Sequence, residues 1–352
     1  MIDGGDAVRR FALGAARLSG IAPLAKPLLG GIGVILMLHR VTEAKPTPLG
    51  INRHLMITPR FLDTLIADVK ASGYDFVGMD DAVERILGGG RGRRFAAITA
   101  DDAFRDNLTE ALPVFEKHAT PFTIYVAPGL INGTAELWWE VLEQVVLTRD
   151  AIYLATANGT EVLDCASPDR KRAAFMRLHD HLCSEVAEED RGSALNAIAG
   201  SAAIAPDDLR RHLLMDWDEV RTIAAHPLAT IGAHTVNHFM LKRLTRTKAL
   251  AEMVDAVTAI EIETGRRPRH MAYPYGYPAA VGAREVELAA EAGFVSAVTT
   301  RHGVIRAEHA AHLLALPRLS INGRFQNIEH VRTMLTGFTT PLANAGKRLV
   351  TV

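Results

Sequence analysis

Apolar and polar positions fall into blocks along the first 130 residues, and each block has the length of a strand or a helix. Gly33 to Val41 is apolar on both parities up to His39, the pattern of a strand buried on both faces. Thr58-Pro59 then opens a helical period through Phe61, Leu62, Leu65, Ile66 and Val69, with Thr58 as N-cap, Pro59 at the first helical position and Gly73 as the stop. Tyr74 to Val77 predicts a second strand and Asp80 to Leu87 a second helix. Phe95 to Ile98 reads as the end of a third strand, Leu108 to His118 as a helix, and Phe122 to Val126 as a strand closed by Pro128 and Gly129. Strands alternating with helices predict a parallel sheet or barrel with its site at one rim. The rhythm breaks from Asn132 to Met215, where helical, charged and alanine-rich sequence with Trp138-Trp139 near its start predicts an insertion. It would wall a groove, or its tryptophans would simply anchor it to the core. Helical periodicity returns at Ile328 to Leu335, followed by a loose tail.

Three strands run abruptly into polar residues. The first ends at Asp101-Asp102, two adjacent carboxylates that repel unless a cation or a proton separates their roles, which suggests a metal ligand beside a base. A turn or an N-cap for a helix starting near Phe104 would use the same residues. The second, Ala229 to Ala233, leads into His234-Thr235-Val236-Asn237-His238, whose i, i+4 histidines share one face of a helical turn. Thr235 stands where a zincin helix would carry glutamate. The third ends in Tyr273-Pro274-Tyr275-Gly276-Tyr277-Pro278, a rigid loop with aromatic faces on which sugars stack, or a structural turn. One carboxylate and two histidines, each at a strand end, form a donor set for a divalent ion.

Composition narrows the partners. The 352 residues carry 39 lysines and arginines against 40 aspartates and glutamates, so no overall field points to nucleic acid. Cys165 and Cys183 have no Cys-x-x-Cys spacing, so neither a disulfide framework nor a thiolate zinc site is indicated. The glycine- and arginine-rich stretch Gly88 to Arg94 lacks the Gly-Lys-Ser/Thr ending of a phosphate loop and reads as an exposed turn. Near the N-terminus, Arg17, Lys26, Pro23 and Pro27 interrupt an apolar stretch before it reaches the roughly 18 residues of a membrane span. Asp3 and Asp6 sit badly in a secretory leader. A leader helix over residues 1–31 that packs on the domain, or rests loosely on a membrane surface, remains, and with no export signal the expected compartment is the cytoplasm.

The three polar strand ends, in this order, resemble the polysaccharide deacetylase family, the NodB-homology or carbohydrate esterase family 4 enzymes. Thr99-Ala100-Asp101-Asp102-Ala103 is similar to the family's Thr-Phe-Asp-Asp-Gly, His234 to His238 matches its His-Ser/Thr-x-x-His, and Tyr273-Pro274-Tyr275-Gly276 resembles its third motif. Weaker likenesses at Leu36 to Val41, Asp216 to Glu219, Gly293 to Thr300 and Leu316-Pro317-Arg318 extend it over about residues 32–323. The resemblance implies a distorted (β/α)7-type barrel over 32–323 with a largely helical insertion at about 132–215, followed by a C-terminal helix and tail over 324–352. It implies hydrolysis of the N-acetyl group of an amino sugar in an oligo- or polysaccharide. Carried over residue by residue, Asp102, His234 and His238 would hold a divalent metal, for which zinc fits although other divalent ions are also accommodated. Asp101 would be the general base, the backbone N–H of Tyr275 would meet the oxyanion, and Tyr273, Pro274 and Tyr277 would contact substrate.

The chain also departs from the family pattern. Ala103 replaces a glycine, which matters if that residue needs a positive φ. Where many relatives have an arginine that orients the base, this chain has Ala272, and Arg318 could supply the charge from another strand end. The family's Leu-x-His is not evident, leaving His39, His302 and His312 as candidates for the general acid. A catalytically silent carbohydrate-binding protein, or a metal-dependent hydrolase of another ester or amide, are the competing readings.

Overall fold

The computed structural model describes residues 26–352, so the leader expected over 1–31 lies, up to residue 25, outside the described residues. Eight parallel strands form the central sheet: β1 (Gly33–Leu38), β2 (Tyr74–Phe76), β3 (Arg94–Ala100), β4 (Phe122–Val126), β5 (Ala229–Ala233), β6 (His270–Ala272), β7 (Ser296–His302) and β8 (Leu316–Ser320). Seven of them close in the order β1-β8-β7-β6-β5-β4-β3, because β3 returns to pair with β1 from Gly33↔Phe95 to Leu38↔Ala100. The remaining short strand, β2, shares one edge of β3 with β4: it pairs with Arg94 to Phe95 and Ala96, while β4 pairs with Ile98 to Ala100. This is the expected seven-stranded barrel, distorted by the splayed β2.

Alternation along the strands decides what faces the barrel axis. Ile35, Phe95, Ala97, Tyr125, Ala272, Val298 and Leu316 pack together in the interior, whereas Val34, Leu36, Ala96, Ile98 and Leu319 join the layer beneath the helices. Several helices turn an apolar stripe to that layer, whereas Met79–Leu87 packs Met79, Ala82 and Ile86 with the interior residues. Helix α1 (Pro59–Ala71) buries Leu62, Leu65, Ile66 and Val69, and Thr58 caps it by accepting from the Phe61 amide at 3.1 Å. On the parity of the interior, the next positions past the strand ends are His39, Asp101 and His234. The fold therefore delivers these polar groups to the mouth of the barrel.

The insertion contains α2 (Trp138–Thr148), α3 (Pro168–Asp180), α4 (Arg191–Ser201) and α5 (Pro206–Leu213), with a core of its own around Leu142, Val145, Phe175, Leu178 and Leu195. It also holds an antiparallel hairpin, Ala151–Thr156 with Gly159–Asp164, that the helical reading missed. Its sequence signal was the Asn158-Gly159 turn, flanked by a strand whose Ile152 and Leu154 alternate inward. The loop following β1 is tied to the insertion by Glu143, which accepts from the Ile51 amide at 2.9 Å and the Asn52 amide at 3.2 Å. The tail is docked rather than loose: after the helix Ile328–Leu335, Asn344 donates to the His302 carbonyl at 2.7 Å, and Val350 is buried against His309. Among the described residues no helix is long and apolar enough to cross a membrane.

Candidate active site

Asp101 and Asp102 leave the end of β3 in different directions because Asp102 has a left-handed backbone, φ 72°. Ala103 follows with φ 56°, so the position where the family pattern has glycine does require positive φ, and here an alanine is held in it. Five of the eight non-glycine residues with positive φ among the described residues are at this rim: Asp102, Ala103, Thr235, His238 and Tyr275. Such a concentration of unfavourable backbone marks a functional site.

Asp101 continues the inward parity of β3 and meets Arg318, which points inward from β8. Arg318 Nη1 donates to Asp101 Oδ1 and Nη2 to Oδ2, both at 2.7 Å. The guanidinium is itself fixed, donating from Nε to the Thr299 carbonyl at 2.9 Å and from Nη1 to Thr99 Oγ1 at 3.1 Å. Burial pushes the Asp101 carboxyl upward, but the charge and hydrogen bonds of Arg318 outweigh it and hold the carboxyl well below the usual carboxylate range. Asp102 goes the other way. Burial first, and then the charge of Asp101, raise its carboxyl well above that range.

Asp102 Oδ1 lies 3.5 Å from His234 Nε2 and 3.4 Å from His238 Nε2, and one ligand atom from each of the three residues falls within 4.8 Å of the others. His234 Nδ1 is 2.7 Å from the Ala272 carbonyl, which can only accept, so the proton is on Nδ1 and the Nε2 lone pair faces Asp102. Burial lowers both imidazoles, His238 strongly, with the charges of His234 and Arg191 adding to the effect. Asp102 Oδ1 has no hydrogen-bond donor. A buried carboxylate oxygen without a donor, faced by two neutral imidazoles, is the set that a divalent cation satisfies, and these residues fit one.

The loop that carries the histidines is clamped from two sides. Glu252, on the helix Arg246–Thr264, accepts from the Val236 amide at 3.0 Å and the Asn237 amide at 2.8 Å through Oε2, and from the Asn237 side chain at 2.7 Å through Oε1. From the insertion, Arg191 donates to the His238 carbonyl at 3.2 Å and pairs at 2.7 Å with Glu188, whose side chain is wholly buried. Neither clamp was read from the sequence.

A cavity of about 450 Å³ opens above these groups. Its floor is His39, Asp101, Asp102, His234 and His238, and one wall is Trp138, Trp139, Phe175, Met176 and His179 from the insertion. His54, Asn322 and Arg324 stand among the remaining lining residues. Trp139 lies 5.3 Å from the His238 ring and Trp138 donates to the Tyr275 hydroxyl at 3.1 Å, so the tryptophans both anchor the insertion and wall the cavity. Of the third-motif residues, Tyr275 and Tyr277 line the cavity. Tyr273 and Pro274, expected to touch substrate, do not: Tyr273 is turned into the core, its hydroxyl donating to the Leu314 carbonyl at 2.9 Å, and Pro274 is buried beside it. Of the three histidines considered as acids, His39 reaches the cavity, and desolvation there lowers it to about 4 despite the charge of Asp101. His302 is bonded to Thr339 at 2.7 Å and His312 is exposed, and neither lines the cavity.

Comparison with known proteins agrees with the geometry. The polysaccharide deacetylase family model matches residues 88–296. Among solved structures, the Streptococcus pyogenes deacetylase PplD in complex with acetate is 16% identical, over 86% of this chain and 97% of that one, with a TM-score of 0.56. IcaB from Ammonifex degensii is 14% identical over 86% and 97% of the two chains with a TM-score of 0.53, and a de-N-acetylase from Aggregatibacter actinomycetemcomitans is 13% identical over 86% and 99% with a TM-score of 0.50. At such identities the likeness is one of fold. No curated protein matches the sequence. The family match covers more than half of the chain and contains the aspartate pair, the two histidines and the tyrosine loop, and on that ground the chain belongs to the polysaccharide deacetylase family.

Proposed function

We propose that this protein is a metal-dependent deacetylase that hydrolyses the N-acetyl group of an amino sugar in an oligo- or polysaccharide. The observation that carries the reading is the division between the two aspartates: one is locked to Arg318, the other faces two neutral histidines. Asp102, His234 and His238 would hold the ion, zinc being the best fit for one carboxylate and two imidazoles. Bound there, it supplies Lewis acidity toward a water and toward the acetyl carbonyl.

The chain's own groups do the rest. Arg318 engages one lone pair on each Asp101 oxygen, and a carboxylate oxygen has a second, so Asp101 can take the proton of the attacking water while its orientation is held. The Tyr275 N–H, on a backbone with φ 63°, would donate to the carbonyl oxygen as it gains charge. The proton taken by Asp101 would return to the departing amine, with His39, neutral in the free site, as the cavity group that would relay it. Trp139 and Tyr277 offer aromatic faces to the sugar ring.

The test is acetate release from N-acetylglucosamine oligomers by wild type, by Asp101→Asn, and by chelated protein before and after zinc is restored. Release by wild type that is abolished by Asp101→Asn and recovered with zinc supports the reading. A protein that holds zinc yet releases no acetate from any N-acetylated sugar contradicts it.

A further inference from the structure

A second cavity, of about 180 Å³, adjoins the catalytic one and shares Ile51, Phe175 and Arg324 with it. Three arginines from distant parts of the chain surround it: Arg53 in the loop after β1, Arg172 on α3 of the insertion, and Arg324 beyond β8. They converge on the short stretch Leu49-Gly50-Ile51. Arg172 Nη2 donates to the Leu49 carbonyl at 3.3 Å, Arg324 Nη2 donates to the Ile51 carbonyl at 3.2 Å, and a side chain at Gly50 would begin 3.3 Å from Arg53 Cδ.

No acidic residue lines this cavity among the described residues. The carboxylate paired with Arg172, Asp169, is 98% exposed and 3.3 Å away, so solvent screens most of its charge. In a chain of net charge −1, the two arginines Arg53 and Arg172 beside one small concavity, with Arg324 also on its rim, are a local field rather than a general one, and a concave site focuses it. Guanidinium forks match the oxygens of phosphate and carboxylate, and the conjunction with the catalytic cavity puts such a group within reach of the sugar being deacetylated.

We infer that this cavity binds an anionic oxygen group, phosphate or carboxylate, carried by the substrate next to its acetylated sugar. That the anion belongs to a substrate rests on the deacetylase reading; that the cavity binds an anion does not. The substrate class is then an acidic or phosphorylated amino-sugar glycan, in place of a neutral one.

Calorimetric titration of the full-length protein with inorganic phosphate, pyrophosphate and glucuronate tests the site. Each of Arg53→Ala and Arg172→Ala is expected to weaken binding roughly tenfold, the effect of one lost charge-assisted contact. Asp102→Ala is expected to retain binding, which separates the arginines from any anion held at the metal triad. The tighter of pyrophosphate and glucuronate identifies which anion the site takes. No oxyanion binding in wild type, or binding that neither arginine variant alters, overturns the proposal. In a second arm, acetate release is compared between N-acetylglucosamine 1-phosphate and N,N′-diacetylchitobiose, with a lower KM expected for the phosphate. Anion binding at the arginines without acetate from any sugar overturns the deacetylase reading and leaves the anion cavity standing.

Discussion

Asp101 and Arg318 are 217 positions apart in the chain, yet both carboxylate oxygens of the one accept from both terminal nitrogens of the other at 2.7 Å inside the barrel mouth. The pair supplies from β8 the positive charge that Ala272, on β6, cannot. Replacing Arg318 with methionine leaves a buried carboxylate without its cation, which costs about 3–5 kcal/mol. The expected outcome is a loss of that size in chemical unfolding, together with loss of acetate release. Arg318→Lys, which keeps the charge but not the fork, is expected to fall between. A methionine variant equal to wild type in both measurements would show that the pair orients nothing.

Ala103 is wholly buried with φ 56°, so two small effects oppose each other in Ala103→Gly: relief of the left-handed backbone and loss of one buried methyl. A net change within about 1 kcal/mol is expected, with metal affinity retained. Ala103→Val puts a β-branched side chain at the same φ and is expected to be strongly destabilised. Thermal melting of the two variants distinguishes a tolerated alanine from a position where the backbone conformation does not matter.

The histidine loop should loosen when its clamps are removed. Glu252→Ala removes the oxygen to which the Val236 and Asn237 amides both donate, and Arg191→Met releases the His238 carbonyl. Each is expected to weaken zinc binding about 10- to 100-fold while the fold is kept, as is usual when the supports of metal ligands are lost. The zinc dissociation constant, measured by competition with a chelating dye, reads the effect.

Glu140, on the first helix of the insertion, gives a pH dependence with a defined sign. Burial raises it from 4.5 to about 7, the charge of Glu143 adds to this, and Arg40 partly opposes it. A carboxyl raised in the folded state makes stability fall as pH rises from 4.5, where the unfolded chain ionises, to about 7, where the folded one does; above that the loss is constant. The span corresponds to a loss on the order of 3 kcal/mol. Glu140→Gln is therefore expected to equal wild type below pH 4.5 and to exceed it in stability above pH 7. Parallel melting curves at all pH values would contradict the assignment.

The barrel was legible because its signals are local. Gly33 to Leu38 and Phe122 to Val126 are apolar on both parities, Thr58-Pro59 begins a helix, and the same parity that makes Phe95 and Ala97 interior carries Thr99 and Asp101 inward. Asp102, His234 and His238 were readable as a set because each follows a strand. Tyr273 was misread since an aromatic in a Pro/Gly loop looks the same in sequence whether it faces a cavity or the core. The clamps were invisible for another reason: Glu252 and Arg191 lie 15 and 47 positions from the loop atoms they hold, and buried charges inside helices look like surface charges until the packing is known. Glu140 and Glu143 hid within the run Trp138 to Thr148 in the same way.

The central claim is that adjacent aspartates hold different jobs, and metal content measured beside turnover tests it most directly. Wild type, Asp102→Ala and Asp101→Asn are to be purified alike, assayed for bound zinc by elemental analysis, and assayed for acetate release from the same N-acetylated oligosaccharide. Asp102→Ala is expected to lose both metal and turnover. Asp101→Asn is expected to keep stoichiometric metal and lose turnover alone. Equal loss of metal in the two variants would contradict the division of labour between Asp101 and Asp102.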